Sequence, residues 1–316
     1  MQKLLINSKS SLYPVWLRAL RPHYVPPSIL AALLGSIIAW SRYNIFKWEE
    51  FLLVMAGVTA NHFGLNIIDD VYDYLNSIDQ SRTDEKNPYT GGSGVLTDGL
   101  LTVRQMLWGA GICFSIVVVI GIYLTFTCGV PILILGIIGI TSSLFYTMPP
   151  VKFSYRGLGE LGLLINFGPV IVMGSFYVQT QSFSTEPFLV SLILGLMMWS
   201  MIIINEIPDY EEDLHGGKMN LVARFGRERA LILYAGGLIS AYMIMLILVL
   251  SEVMPLAAVL GFSGAPLAVK SWNVLKTHYM DRMKMIPANA SMIKIHAITG
   301  LSLVAGYGVE GIFRIT

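Results

Sequence analysis

Four polar side chains recur at positions i, i+3, i+4 and i+7 of an otherwise apolar segment, a spacing that places them on one face of an α-helix. They are Asn66, Asp69, Asp70 and Asp73, and Asp79 follows further along the chain. Like charges this close repel one another, and burial adds to the cost, so we expect cations among them. We call residues 66–79 the first acidic segment.

A second acidic segment, residues 205–213, repeats the pattern with Asn205, Asp209 and Asp213 at helical spacing. Carboxylate oxygens suit Mg²⁺, which binds one or two protein carboxylates and completes its shell with water and substrate phosphates. Two facing acidic segments thus predict a metal–diphosphate site. Its predicted metal ligands and catalytic groups are Asp70, Asp73, Asp209 and Asp213. Its predicted substrate contacts include Asn66, Asp69, Asp79 and Asn205.

For any single Asp, the alternative is a helix cap or a solvated helix end. An acidic side chain inside a membrane span costs at least ~2.5 kcal/mol near the bilayer centre, and such residues are functional by default. Four polar residues on one face, echoed by a second segment, favour function over capping.

Long apolar blocks must position these acids. Of the 316 residues, 54% are hydrophobic and 13% are charged, which is unlike a soluble domain. Crossing a bilayer core as a helix takes roughly 20 residues. Nine blocks are of about this length, at residues 24–41, 51–75, 103–127, 131–148, 158–179, 187–209, 229–250, 253–276 and 291–313. The sequence predicts an all-α membrane protein, in which residues 1–316 form a single domain of nine transmembrane helices around a central cavity.

The basic residues are distributed unevenly between the two sides of these nine blocks. Of the 21 Lys and Arg residues, all but Arg42, Lys47 and Arg314 fall on the side of the N-terminus. By the positive-inside rule, the N-terminus is predicted to be cytoplasmic and the C-terminus outside. The two acidic segments end on the cytoplasmic side.

A diphosphate also requires cations. Lys152 and Arg156 lie on the predicted cytoplasmic side, where Arg would hold phosphate with a fork of donors and Lys with a compact charge. Lys218 and Arg21 are further candidates for substrate binding. The alternative for each is a topology signal. The two cysteines lack CxxC spacing, so no disulfide framework or thiolate metal site is predicted.

The two acidic segments resemble the paired aspartate motifs of UbiA-type prenyltransferases. The second motif, DxxxD, matches at Asp209 and Asp213, whereas Asp69 stands where the first motif usually has Asn. The resemblance extends to the branch that prenylates 1,4-dihydroxy-2-naphthoate. It is carried by the run YRGLGELGLLINFGP from Tyr155, by residues 205–226, and by the loop GGSGVL from Gly91, in which Gly94 replaces a common Arg.

This resemblance implies a Mg²⁺-dependent transfer of a polyprenyl group from its diphosphate to a small aromatic acceptor in the bilayer. For this branch the acceptor is 1,4-dihydroxy-2-naphthoate, on the way to menaquinone. Tyr146 is predicted to be catalytic, with its ring stabilising the allylic cation or its hydroxyl orienting the acceptor. Its alternative is a packing role. No nucleic acid and no obligate protein partner are expected.

Other functions are open at this point. Within the same class, the acceptor could be 4-hydroxybenzoate, homogentisate, chlorophyllide or an archaeal glycerol ether lipid. A different class is the cation-coupled transporter, because intramembrane carboxylates and broken helices also mark ion pathways.

Overall fold

The computed structural model describes residues 12–76 and 87–315, and its regular elements are helices. The first helices are α1 (Leu12–Leu20), α2 (Pro26–Tyr43), α3 (Trp48–Leu75), α4 (Val103–Cys128), α5 (Val130–Leu144), α6 (Gly159–Ile165) and α7 (Ile171–Thr180). They are followed by α8 (Thr185–Glu206), α9 (Tyr210–His215), α10 (Leu221–Phe225), α11 (Arg227–Leu250), α12 (Ala265–His278) and α13 (Ile286–Ile315). The prediction of an all-α fold is confirmed within these ranges.

Six helical segments of the described residues are long and apolar enough to cross a membrane: α3, α4, α6 with α7, α8, α11 and α13. A seventh is possible if the N-terminal helices up to Tyr24 form one span with α2 across a bend of 51°. Two predicted blocks take other forms. Residues 131–148 contain the 15-residue α5, and residues 253–276 contain a 3-10 helix, Leu256–Gly264, followed by α12. The count of nine crossings stays a prediction.

Helix α8 lies at the centre of the main hydrophobic core. Buried side chains on it include Leu194, Met197 and Ile203, which pack in one cluster with residues of α2, α11 and α13. A π-helical turn, Asn166–Val170, joins α6 to α7 and contains Pro169, which cannot donate a backbone hydrogen bond. This turn packs on α8 and brings α6 beside the second acidic segment.

The end of the bundle opposite the acidic segments is held by Arg42, at the last turn of α2. Its guanidinium lies 2.7 Å from Glu186 of α8 and 2.6 Å from Glu310 of α13, and it donates to the backbone oxygen of Val253 (3.0 Å). Glu186 also accepts from the Tyr307 hydroxyl (2.8 Å). Four chain segments that the sequence assigns to the outer side therefore meet at one point.

The opposite end collects the longer connections. Arg282, before α13, donates to the backbone oxygen of Pro208 (2.7 Å) and forms an ion pair with Glu212. Asn87 donates to the backbone oxygen of Arg282 (3.3 Å), so the Gly-rich loop before α4 (residues 87–102) also reaches this end. The connections predicted to share the cytoplasmic side are thus neighbours in space.

Candidate active site

A polar pocket lies where the two acidic segments meet. Its lining includes one set of carboxylates and one set of other polar side chains from these segments and their neighbours. The carboxylates are Asp69, Asp73, Asp209 and Asp213, with Glu206 beside them. The other side chains are Asn66, Asn205, Lys218, Arg21 and Tyr146. Side chains from both acidic segments thus line one pocket, as the sequence predicts.

Lys218 is the cation at the centre of this pocket. Its Nζ lies 2.8 Å from Asp73 Oδ2, and its side chain comes from the turn after α9, where its backbone N–H donates to Asp213 (2.7 Å). Burial by itself lowers the pKa of an ammonium group, but the carboxylates of Asp73, Asp69 and Asp213 outweigh it and hold the pKa of Lys218 well above its usual range. The side chain is therefore a permanent positive charge among the acids.

The second acidic segment supplies Asp209 and Asp213 from the start and the middle of α9. Asp209 occupies the N-cap position of α9, yet its side chain makes no capping hydrogen bond. Asp213 is 3% exposed and accepts a hydrogen bond from Asn220 Nδ2 (2.6 Å). Burial raises the pKa of Asp213, while Lys218 and Asn220 oppose this rise. Helix capping does not account for the Asp209 carboxylate.

Asp70 faces away from the pocket, toward the Gly-rich loop. Its carboxylate accepts from the backbone N–H of Ser93 (3.0 and 3.1 Å) and lies 3.4 Å from the guanidinium of Arg21. Arg21 also donates to the backbone oxygen of Gly91 (2.8 Å). Gly91 and Gly94 have φ of 73° and 77°, which glycine adopts without strain. Asp70 thus fixes the loop in this structure, and its role as a metal ligand stays a prediction.

Asp69 lines the pocket in the place expected for Asp70. In the described part of the chain, Asp69 Oδ1 is buried and accepts no hydrogen bond. No three His, Cys, Asp or Glu side chains within residues 12–76 and 87–315 converge closely enough to hold a metal ion by themselves. The donor set nonetheless fits Mg²⁺, because carboxylate oxygens are hard ligands and this ion takes further ligands from water and substrate phosphates.

The two predicted amide contacts, Asn66 and Asn205, hold the surrounding backbone. Asn66 Nδ2 donates to the backbone oxygen of Leu20 (2.9 Å), which fixes α3 against the N-terminal helix. Asn205 Oδ1 accepts from Asn289 of α13 (2.9 Å), and Asn289 accepts in turn from Asn87 (3.2 Å). Both amides line the pocket while tying its walls together.

Lys152 and Arg156, predicted to bind the diphosphate, lie beside the pocket and not in its lining. Lys152 Nζ donates to Asn76 Oδ1 (3.0 Å) and sits over the ring of Tyr155 (4.6 Å). Arg156 is exposed and donates to the backbone oxygen of Pro150 (3.0 Å). Tyr155, between them in sequence, donates its hydroxyl to Asp73 (3.2 Å). Asp79 lies outside the described residues.

Tyr146 stands between the polar pocket and a larger apolar cavity. This cavity has a volume of about 710 Å³ and is walled by α3, α4, α5 and the α6–α7 segment. It shares Tyr146, Leu65, Leu163 and Phe167 with the polar pocket. The site therefore has a charged compartment and an apolar compartment, which meet at these four residues.

Two buried acids in the site escaped sequence reasoning. Glu206 lines the polar pocket, and Glu160 of α6 is fully buried. Glu160 Oε1 accepts from the backbone N–H of Leu221 (2.5 Å). Glu206 lies outside the four-residue spacing of the second segment, and Glu160 is distant in sequence, so no helical pattern marks the pair.

Comparison with known proteins decides the family. Residues 28–293 match the model of the UbiA prenyltransferase family. The chain belongs to this family. The UbiA resemblance seen in the acidic segments is thereby confirmed over most of the chain, and this UbiA prenyltransferase is an integral membrane enzyme.

The chain is also similar in sequence to individual curated proteins of known name. The chain is 25% identical over 308 residues to 2-carboxy-1,4-naphthoquinone phytyltransferase of Synechocystis sp., with 94% of each chain covered. It is 28% identical over 295 residues to 1,4-dihydroxy-2-naphthoate octaprenyltransferase of Escherichia coli, with 92% of this chain and 94% of the relative covered.

Solved structures agree on the fold. An apo UbiA homolog from Aeropyrum pernix K1 aligns with a TM-score of 0.64 at 17% identity, covering 94% of this chain and 99% of the homolog. A UbiA homolog from Archaeoglobus fulgidus, bound to DMAPP and Mg²⁺, aligns with a TM-score of 0.57 at 14% identity, covering 92% and 99%. At these identities the likeness establishes the shared fold.

Proposed function

We propose that this UbiA prenyltransferase moves a polyprenyl group from its diphosphate to 1,4-dihydroxy-2-naphthoate, in a Mg²⁺-dependent reaction of menaquinone biosynthesis. The observation that carries the proposal is the meeting of a charged pocket and an apolar cavity at Tyr146. A polyprenyl diphosphate has the same two parts. The acceptor is inferred from the names of the naphthoate prenyltransferases among the relatives.

The diphosphate is proposed to lie between the two acidic segments. Asp69, Asp73, Asp209 and Asp213 would hold Mg²⁺ there, with Asp70 fixing the loop beside it. Bound Mg²⁺ would neutralise the charge that develops on the diphosphate as it leaves. Lys218 and Arg21 would donate directly to phosphate oxygens, since both line the pocket.

The allylic carbon is proposed to lie beside Tyr146. When the carbon–oxygen bond breaks, its electron pair leaves with the diphosphate, and the ring face of Tyr146 stabilises the cation that remains. The ring carbon that carries the acceptor's carboxylate then donates its π electrons to form the new carbon–carbon bond. The carboxylate leaves as CO₂, and the electron pair of the broken bond restores the aromatic ring. The buried aromatic and aliphatic side chains around Tyr146 exclude water, which would otherwise trap the cation.

The proposed reaction can be tested directly. Purified protein would be incubated with Mg²⁺, labelled polyprenyl diphosphate and single acceptors, and the products identified by mass. We expect a prenylated, decarboxylated naphthoquinol from 1,4-dihydroxy-2-naphthoate. If products form only with 4-hydroxybenzoate or homogentisate, the protein is still a prenyltransferase but the proposed acceptor is wrong. Ion movement without consumption of prenyl diphosphate would replace the function with transport.

We also propose nine crossings, with the N-terminus in the cytoplasm. In a variant whose two native cysteines are replaced by serine, His215→Cys should resist a membrane-impermeant thiol reagent in intact cells, while Ser182→Cys should react. Both positions are exposed and lie at opposite ends of the bundle, so each is the control for the other. The reverse pattern of labelling would invert the topology and move the site outside.

The lining of the pocket predicts which arginine binds the donor. Arg21→Gln should weaken binding of prenyl diphosphate by about ten- to a hundred-fold, because a hydrogen bond between charged groups contributes about 1.5–3 kcal/mol. Arg156→Gln, which removes a charge beside the pocket, should have a smaller effect. Binding would be measured by displacement of a labelled donor analogue. A larger loss of binding in Arg156→Gln than in Arg21→Gln would indicate that the diphosphate binds at the loop after α5.

A further inference from the structure

Helix α5 lines the apolar cavity with large aliphatic side chains, among which one face of the helix has two glycines and a serine. Four residues spaced at i, i+4, i+7 and i+11 line the cavity: Ile132, Gly136, Gly139 and Ser143. At one end of this face, Ser143 Oγ accepts a hydrogen bond from Asn61 of α3 (2.8 Å). At the other end, Ile132 packs with residues of α4 and α7. The two glycines lie between these contacts, facing the interior of the cavity.

Glycine at these two positions is not explained by helix packing. Elsewhere it allows backbones to approach, since a Cβ at Gly168 would lie 2.8 Å from the backbone oxygen of Ser191, and one at Gly195 would lie 2.6 Å from that of Leu164. At Gly136 and Gly139 an added Cβ would meet no other atom within 4 Å. Because glycine weakens a helix relative to alanine, its effect here is to leave space in the cavity.

The two glycines lie at different distances from the polar pocket along the cavity. The cavity starts at Tyr146, beside the polar pocket, and extends along α3 from Leu65 to Val54, a distance of about 16 Å. Since α5 runs toward Tyr146, Gly139 is nearer to the polar pocket than Gly136 by about 4.5 Å of helix. A tail that extends from a diphosphate in the polar pocket passes Gly139 first.

We infer that Gly139 and Gly136 set the length of isoprenoid tail that the cavity accepts. The inference rests on the proposed function, in which the donor's diphosphate lies in the polar pocket. A leucine at either position fills the cavity at that level and stops a longer tail. Gly139→Leu therefore restricts the enzyme to shorter donors than Gly136→Leu does.

The experiment compares Gly139→Leu, Gly136→Leu and the wild type with dimethylallyl, farnesyl and longer polyprenyl diphosphates, all with one acceptor. Relative to the wild type, kcat/KM for the longest donor should fall by about tenfold or more in both variants, since a few unburied methylene groups suffice for that factor. Farnesyl diphosphate should be impaired more by Gly139→Leu than by Gly136→Leu, and dimethylallyl diphosphate should be unaffected.

The matched control is Gly111→Leu on α4. Gly111 is exposed, has no atom within 4 Å of an added Cβ, and lies outside the cavity lining, so its donor profile should be that of the wild type. Wild-type profiles in both cavity variants would overturn the inference. An equal loss for all donors would also overturn it, by indicating a distorted helix. If the wild type consumes no prenyl diphosphate, the proposed function itself is refuted. The assay of the wild type alone detects this outcome.

Discussion

Asp73→Asn and Asp209→Asn are each expected to lower the rate of prenyl transfer by about 100- to 1,000-fold, the loss typical when one preorganised electrostatic group is removed from an active site. Asn keeps the size and hydrogen-bonding capacity of Asp but removes its charge. A capping residue would tolerate this change, because Asn caps helices about as well as Asp. A group that holds Mg²⁺ and diphosphate would not tolerate it.

The double variant separates a joint role from two independent ones. Residues that act as one unit lose most of the function at the first substitution, so Asp73→Asn/Asp209→Asn should be little worse than either single change. Asp281→Asn is the matched control. Asp281 is an exposed carboxylate at the same end of the bundle, paired with Lys284 (2.9 Å). Near-normal Mg²⁺-dependent transfer by both single variants would refute the two-segment diphosphate site.

Lys218→Met is expected to abolish detectable transfer and also to destabilise the protein by about 3–5 kcal/mol, the usual cost of removing one partner from a buried ion pair. Asp73 and its neighbours would then be buried without their central cation. The measurements are transfer activity and the midpoint of thermal unfolding in detergent.

A second substitution distinguishes the two effects of Lys218. Adding Asp73→Asn to Lys218→Met removes the uncompensated charge, so part of the lost stability should return while activity stays absent. Lys284→Met, which breaks an exposed pair at the same end, is the control and should change neither quantity. Recovery of activity in the double variant would show that Lys218 acts only as a structural partner of Asp73.

The fold was largely predictable because its main signals are local. Long apolar blocks predict helices, and the acids at the end of α3 and in the segment after α8 predict that these two parts of the chain line one site. The forms of residues 131–148 and 253–276 were not predictable by length and hydropathy. Leu256–Gly264 adopts a 3-10 helix through contacts with α13, and such tertiary contacts leave no periodic pattern in the sequence.

Spacing predicted the composition of the site better than the orientation of each side chain. Asp69 and Asp70 are adjacent, so they point about 100° apart around α3, and only the surroundings decide which of them faces the pocket. The Ser93 N–H and Arg21 draw Asp70 toward the loop. Likewise, charge and position favoured Arg156 over Lys218 as a phosphate ligand. The burial of Lys218 against Asp73 depends on a turn whose path the sequence does not specify.

The Arg42 cluster has a consequence for the order in which the helices can assemble in the membrane. Its carboxylate partners, Glu186 and Glu310, follow Arg42 by 144 and 268 positions. During biogenesis, α2 therefore enters the bilayer with a charge whose partners have not yet been made. The first ion pair becomes available with α8 and the second only with α13. The set of contacts on Arg42 is therefore complete only when α13 has docked against α2.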